Sequence, residues 1–140
     1  MQKQEADLYS YPLDDLLNTA EHNTNVLSSL EEIIVYDNSF LLLRGWIYQK
    51  DSLENKSANR FIIFSCNDKQ FICRTKIITR DDVVKHFNDI SLCNSGFECL
   101  VDMEKIKEIS QQEITIKAGI LSNGILMHND ITSILLDKFN

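Results

Sequence analysis

The stretch Phe40-Leu41-Leu42-Leu43-Arg44-Gly45-Trp46-Ile47-Tyr48-Gln49 decides the fold. It is the longest apolar run in the chain and carries the single tryptophan, Trp46. It is far shorter than the roughly 20 apolar residues that a membrane span requires. At period two, Leu41, Leu43, Gly45 and Ile47 share one face, and Phe40, Leu42, Arg44, Trp46 and Tyr48 share the other. The first face is aliphatic and the second is aromatic with one charge. That pattern predicts a central strand covered on both sides, with Trp46 buried. Gly45 inside a strand marks a bulge or a close backbone approach.

Strand signals continue on either side. Glu31–Tyr36 precedes the run, and Asp37-Asn38-Ser39 between them reads as a tight turn, so the two strands form a hairpin. Lys50 to Asn59 is polar and aperiodic, which makes it a loop. Arg60–Cys66 is a third strand. Gln70–Ile78 is read as a fourth, with Phe71, Cys73, Thr75 and Ile77 on one face and mostly polar residues on the other. Thr79-Arg80-Asp81-Asp82 has the form of a capping box, and Val83, Val84 and Phe87 follow at helical spacing, so a short helix over Arg80 to Asn88 is expected. Strands resume at Gly96 and Glu113. Ser122-Asn123-Gly124 makes a tight turn before a last strand that runs from Ile125 towards Leu136 and is interrupted near His128-Asn129-Asp130. About seven short strands, one inserted helix and no βαβ alternation predict an all-β, antiparallel, immunoglobulin-like β-sandwich, with a small β-barrel as the alternative.

The 140 residues fit one domain. Residues 1–28 are polar and are read as an N-terminal arm or linker, and residues 29–140 as the sandwich. Within the arm, Leu13, Leu16, Leu17 and Ala20 have helical spacing after Pro12, which admits a short docking helix for a partner protein or a catalytic domain. The formal net charge of −7 and the absence of a basic stripe argue against nucleic acid and against an anionic membrane surface. No secretory signal is legible, so a cytoplasmic location is expected. The four cysteines, Cys66, Cys73, Cys93 and Cys99, contain no CxxC pair and are expected to be free thiols, with no metal and no cofactor.

No nucleophile, base and charge stabiliser can be assembled from the motifs. There is no glycine-rich phosphate loop, no G-x-S-x-G elbow, and the histidines His22, His86 and His128 are scattered. A non-catalytic module is therefore expected.

Three landmarks follow one another along the chain: Gly45-Trp46 in an early strand, Arg80-Asp81-Asp82-Val83 followed by Phe87, and Gly96-Phe97 opening a later strand. Over about Leu30 to Leu136 this resembles small β-sandwich accessory modules found in bacterial glycosyltransferases and other polypeptides that build surface polysaccharides. Asp81 stands where those modules often have proline. The resemblance implies a structural role for Gly45, Trp46, Val83, Phe87, Gly96 and Phe97, with Trp46 in the core and Arg80 and Asp82 anchoring the helix to the sheet. It also implies a carbohydrate-binding module, for which Tyr36, Tyr48, Phe71, Arg80 and Asp82 are the candidate glycan contacts. The alternative is a scaffolding module that docks a partner enzyme or domain.

Overall fold

The computed structural model describes residues 14–109 and 112–135. Pro12 and Leu13, with the start of the expected docking helix, and Leu136 lie outside them. The described elements are, in chain order, α1 (Asp14–Leu17), β1 (Glu21–His22), β2 (Val26–Tyr36), β3 (Phe40–Gln49), β4 (Arg60–Cys66), β5 (Lys69–Arg74), β6 (Lys76–Ile78), α2 (Asp81–Phe87), a 3-10 turn (Ile90–Leu92), β7 (Gly96–Asp102), α3 (Met103–Ile109), β8 (Glu113–Ser122) and β9 (Ile125–Leu135). They build a two-layer β-sandwich. One sheet has the order β1-β9-β8-β4-β5 and the other β2-β3-β7-β6. All pairings are antiparallel except the short parallel pair of β1 with β9. The sheets stay separate, so the barrel alternative is set aside.

The turns form where the chemistry asks for them. Asp37, Asn38 and Asn123 take positive φ values of 55°, 57° and 52°, and Gly124 takes 79°. Asn, Asp and Gly tolerate this region and so suit two-residue hairpin turns. Between the sheets, Leu41, Leu43 and Ile47 of β3 meet Ile62 and Phe64 of β4 and Ile114, Ile116 and Ala118 of β8, all of them fully buried. Burying a side chain of this size contributes about 1.5–3 kcal/mol, so this layer is the main source of stability.

Three sequence expectations change. First, residues 14–28 are not a free arm. Leu16, Leu17 and Ala20 pack on Phe61, Ile63, Ile72 and Leu126, on the outer face of the five-stranded sheet. β1 pairs with β9, and Val26 is buried in the main core. The polar composition of the segment concealed a few apolar contacts that cover an otherwise wet face. They also explain why Ile72 interrupts the polar side of its strand. Second, Gln70–Ile78 is not one strand. The chain leaves one sheet at Arg74 and joins the other at Lys76, while the Thr75 hydroxyl holds the Arg60 carbonyl at 3.0 Å. Alternation runs unbroken through such a corner, so periodicity could not reveal it, and Ile77 ends up exposed. Third, β9 is not broken at His128-Asn129-Asp130. It carries an irregularity instead: Ile116 pairs with Thr132 but Lys117 with Asp130.

His128 sits on β9, and among the described residues its buried Nδ1 has no hydrogen-bond partner. Burial, then Lys117 and His22, lower its pKa from 6.5, while Asp130 opposes them. The unfolded chain takes up a proton as pH falls below about 6.5, and the folded chain resists it. The contribution of His128 is thus full above that pH and is lost as pH falls through the lower, folded value. Melting temperature should decline on acidification from neutrality, and His128→Gln should flatten that decline. An unchanged profile in the variant would show that His128 is not the group responsible.

Candidate functional site on the outer face of the four-stranded sheet

β2, β3, β7 and β6 turn one face outward, and α2 covers one end of it. A bulge sits in β2: Leu30 pairs with Gly45, but Glu32 pairs with Arg44, leaving Glu31 as the extra residue. A bulge re-aims the side chains around it. Here Glu32 remains beside Arg44, at 3.8 Å, while Glu31 reaches Arg80. Arg44 also bonds Glu98 on β7 through Nε, at 2.8 Å.

Arg80 is the hub. It is the N-cap residue of α2, and no side-chain cap is formed there, so the expected capping box is corrected. The guanidinium instead donates to Asp82 through Nε and Nη2 at 2.8 and 2.7 Å, and to Glu31 through Nη1 and Nη2 at 2.6 and 3.1 Å. The bidentate pair with Glu31 ties the start of α2 to β2, and the pair with Asp82, inside the first turn of α2, holds the guanidinium in place. Hydrogen bonds from Arg80 hold the Asp82 carboxyl down at about 2. The two carboxylates in turn raise the pKa of Arg80. Gly96 makes room for this arrangement: a Cβ there would lie 2.5 Å from Arg80 Cγ and 2.4 Å from the Ile78 carbonyl oxygen.

Trp46 is corrected. It belongs to the outward face and is half-buried beneath α2, because the opposite face of β3 is the one turned to the core. Its ring lies 5.5 Å from Phe87 and 5.7 Å from Tyr48, and Tyr48 lies 5.1 Å from Phe87. Val83 and Phe97 are buried, whereas Phe87 keeps an exposed edge.

Two depressions share Glu31 and Arg80 as a common wall. One, of about 420 Å³, runs over Arg44, Gly45 and Glu98. The other, of about 370 Å³, lies between Trp46, Asp82, His86 and Phe87. Together they form a groove in which half-buried aromatic rings adjoin planar charged groups. Four carboxylates, from Glu31, Glu32, Asp82 and Glu98, face two guanidiniums, from Arg44 and Arg80. The groove therefore favours neutral polar ligands over anions.

The remaining candidates separate. Tyr36 is half-exposed at the hairpin end of β2, away from the groove. Tyr48 is only 8% exposed and cannot serve as an open platform; burial raises its pKa. Phe71 belongs to the other sheet, stacked 5.0 Å from Phe64 and packed on the core. Glu31, Glu32, Arg44, His86 and Glu98 were missed. One signal for them was present: carrying the Tyr36–Phe40 pairing down the hairpin sets Glu32 opposite Arg44. The bulge that sends Glu31 to Arg80 left no comparable mark.

A separate depression of about 520 Å³ lies at the same end, between the 50–59 loop and α2. Leu53 on its rim is 99% exposed, and Ile90 beside it 77%. Among the described residues no group of three or more His, Cys, Asp or Glu is placed to hold a metal ion. None of their helices is long and apolar enough to cross a membrane. Fold and face together define an antiparallel β-sandwich module with a mixed aromatic and ionic groove. Comparison with family models, curated proteins and solved structures yielded no match.

Proposed function

We propose that the chain is a non-catalytic β-sandwich module that binds carbohydrate, of the kind associated with cytoplasmic steps of bacterial surface-glycan synthesis. One observation carries the reading: Trp46 and Phe87 line the same groove as Arg80, Glu31 and Asp82. Sugars offer an apolar ring face for an aromatic side chain and hydroxyls for planar polar groups, and such sites combine a largely apolar lining with a few placed polar groups. Arg80 acts here mainly by holding the two carboxylates still, since four of its five N–H donors are engaged by them. The carboxylates are left to accept from sugar hydroxyls. Excess negative charge selects neutral or N-acetylated hexoses over acidic ones.

Trp46 is the only tryptophan, so its fluorescence reports on the groove directly. Titration with a panel of neutral and N-acetylated hexose oligosaccharides should give a saturable change for at least one, and Phe87→Ala should weaken that binding about tenfold, the scale of one lost aromatic contact. A panel that leaves both fluorescence and calorimetric heat unchanged would overturn the reading. The alternative, docking of a partner enzyme or domain, is favoured by Leu53 and Ile90, exposed apolar side chains at one end of the sandwich.

A further inference from the structure

Cys73 and Cys99 play no part in the groove, yet the fold brings them together. Both are fully buried in the main core, Cys73 on β5 of one sheet and Cys99 on β7 of the other. The corner at Thr75 explains how. β6 pairs with β7 as Lys76 with Glu98, and continuing that register by one residue sets Thr75 level with Cys99. At Thr75 the chain has already reached β4, through the hydrogen bond to the Arg60 carbonyl. Cys73 precedes it by two residues, on the same side of the chain, and pairs with Ile62. The side chain therefore enters the core where the chain of β5 comes up to β7, and Cys99 is the neighbouring group that, together with burial, acts on its thiol.

We infer that Cys73 and Cys99 form a site for a reversible disulfide that staples the two sheets, closed by exchange with a small-molecule disulfide. The step balances. One cysteine, as thiolate, attacks the external disulfide and releases one small thiol. The second attacks the resulting mixed disulfide and releases another. The two cysteines lose two electrons and two protons, and the small disulfide gains them. A mixed disulfide does not fit inside a packed core, and burial pushes the Cys73 thiol up, which disfavours its thiolate. Exchange therefore proceeds through opening of the chain or during its folding; in this structure all four thiols are free. Cys66 and Cys93, both half-buried, lie elsewhere, at the β4–β5 turn and after the 3-10 turn.

The test is an equilibrium one, so slow access does not blur it. A Cys66→Ser, Cys93→Ser variant is equilibrated with defined mixtures of reduced and oxidised glutathione, starting from unfolded chain, under native conditions and in denaturant. The disulfide fraction is read by alkylation and mass spectrometry. If the pair fits the fold, native conditions raise the equilibrium constant for closing the bond by about tenfold or more, which is about 30 mV per tenfold. By linkage the oxidised form then resists denaturant by the same factor. An equilibrium constant no greater under native conditions than in denaturant would overturn the inference. Should the double variant fail to fold, peptide mapping of the oxidised parent decides: a 73–99 link supports the site, and links through Cys66 or Cys93 alone refute it.

Discussion

Gly45→Ala should destabilise the protein by on the order of 4 kcal/mol, enough to leave a marginal domain largely unfolded at physiological temperature. A Cβ at this position would lie 1.9 Å from the Ser29 carbonyl oxygen and 3.0 Å from Cε2 of Phe97. Neither obstacle yields easily. The Ser29 carbonyl belongs to β2, next to the bulge that sends Glu31 to Arg80, and Phe97 belongs to β7 and to the main core. β3 lies between these two strands, so moving it from one presses it on the other. The substitution therefore breaks ladder pairing on the β2 side and disturbs the core on the β7 side. Gly124→Ala is the graded control: it meets nothing within 4 Å, but its φ of 79° strains any side chain, and it should cost only about 1 kcal/mol. Denaturant midpoints for the two variants give the comparison. A Gly45→Ala protein that melts within a degree or two of the parent would mean that β2 moves aside freely, and the account of the bulge would fail.

Arg60→Met should cost about 3–4 kcal/mol and should loosen the 50–59 loop. Arg60 is only 3% exposed, and among the described residues it has no carboxylate partner. Its guanidinium is solvated by backbone instead: Nε donates to the Ile47 carbonyl at 2.6 Å, Nη1 to Ala58 at 3.1 Å and Nη2 to Asn55 at 2.7 Å. Burial lowers its pKa to about 10, so the group stays charged at neutral pH. Two effects compete in the variant. Methionine relieves the desolvation of a cation, but it leaves three buried carbonyls without a donor, at about 1–3 kcal/mol each. The carbonyls win because the loop cannot turn all three to water while Asn55 still clamps both backbone groups of Gln49 through its side chain. Arg60→Lys should recover little, since an ammonium cannot span three acceptors as a planar fork does. Urea denaturation and amide exchange across residues 50–59 measure both parts. Parent-like stability in Arg60→Met would show that relief of desolvation dominates. The loop carries Leu53, so this anchor also fixes the exposed apolar end on which the docking alternative rests.

The two predictions divide at what was legible in the chain. Gly45 was marked by its place in an apolar strand, so a close approach there was expected, and β3 itself has the bounds read from the sequence. Arg60 was read merely as the start of a strand, and nothing in its neighbourhood announces a buried cation. The same division runs through the groove. Arg80, Asp82 and the aromatic residues stood out by type, but Tyr48 and Phe71 proved to be packed inward, and Glu31 entered only because a bulge turned it.

The sequence by itself determined the local matters: the period-two faces of β3, β4 and β8, the turns at Asp37-Asn38 and Asn123-Gly124, the short α2, and hence an all-β chain. These follow from contacts within a few residues, where side-chain type sets the backbone preference. Tertiary structure decided which face of β3 looks into the sandwich, and so placed Trp46 outside it. It also split one alternating run between two sheets at Thr75, folded residues 14–28 onto the domain, and buried Cys73 and Cys99 from opposite sheets in one core. Each of these depends on pairing between residues far apart in the chain. A strand with apolar residues on both faces carries no local signal for which face will be covered, and alternation is blind to a corner that preserves it.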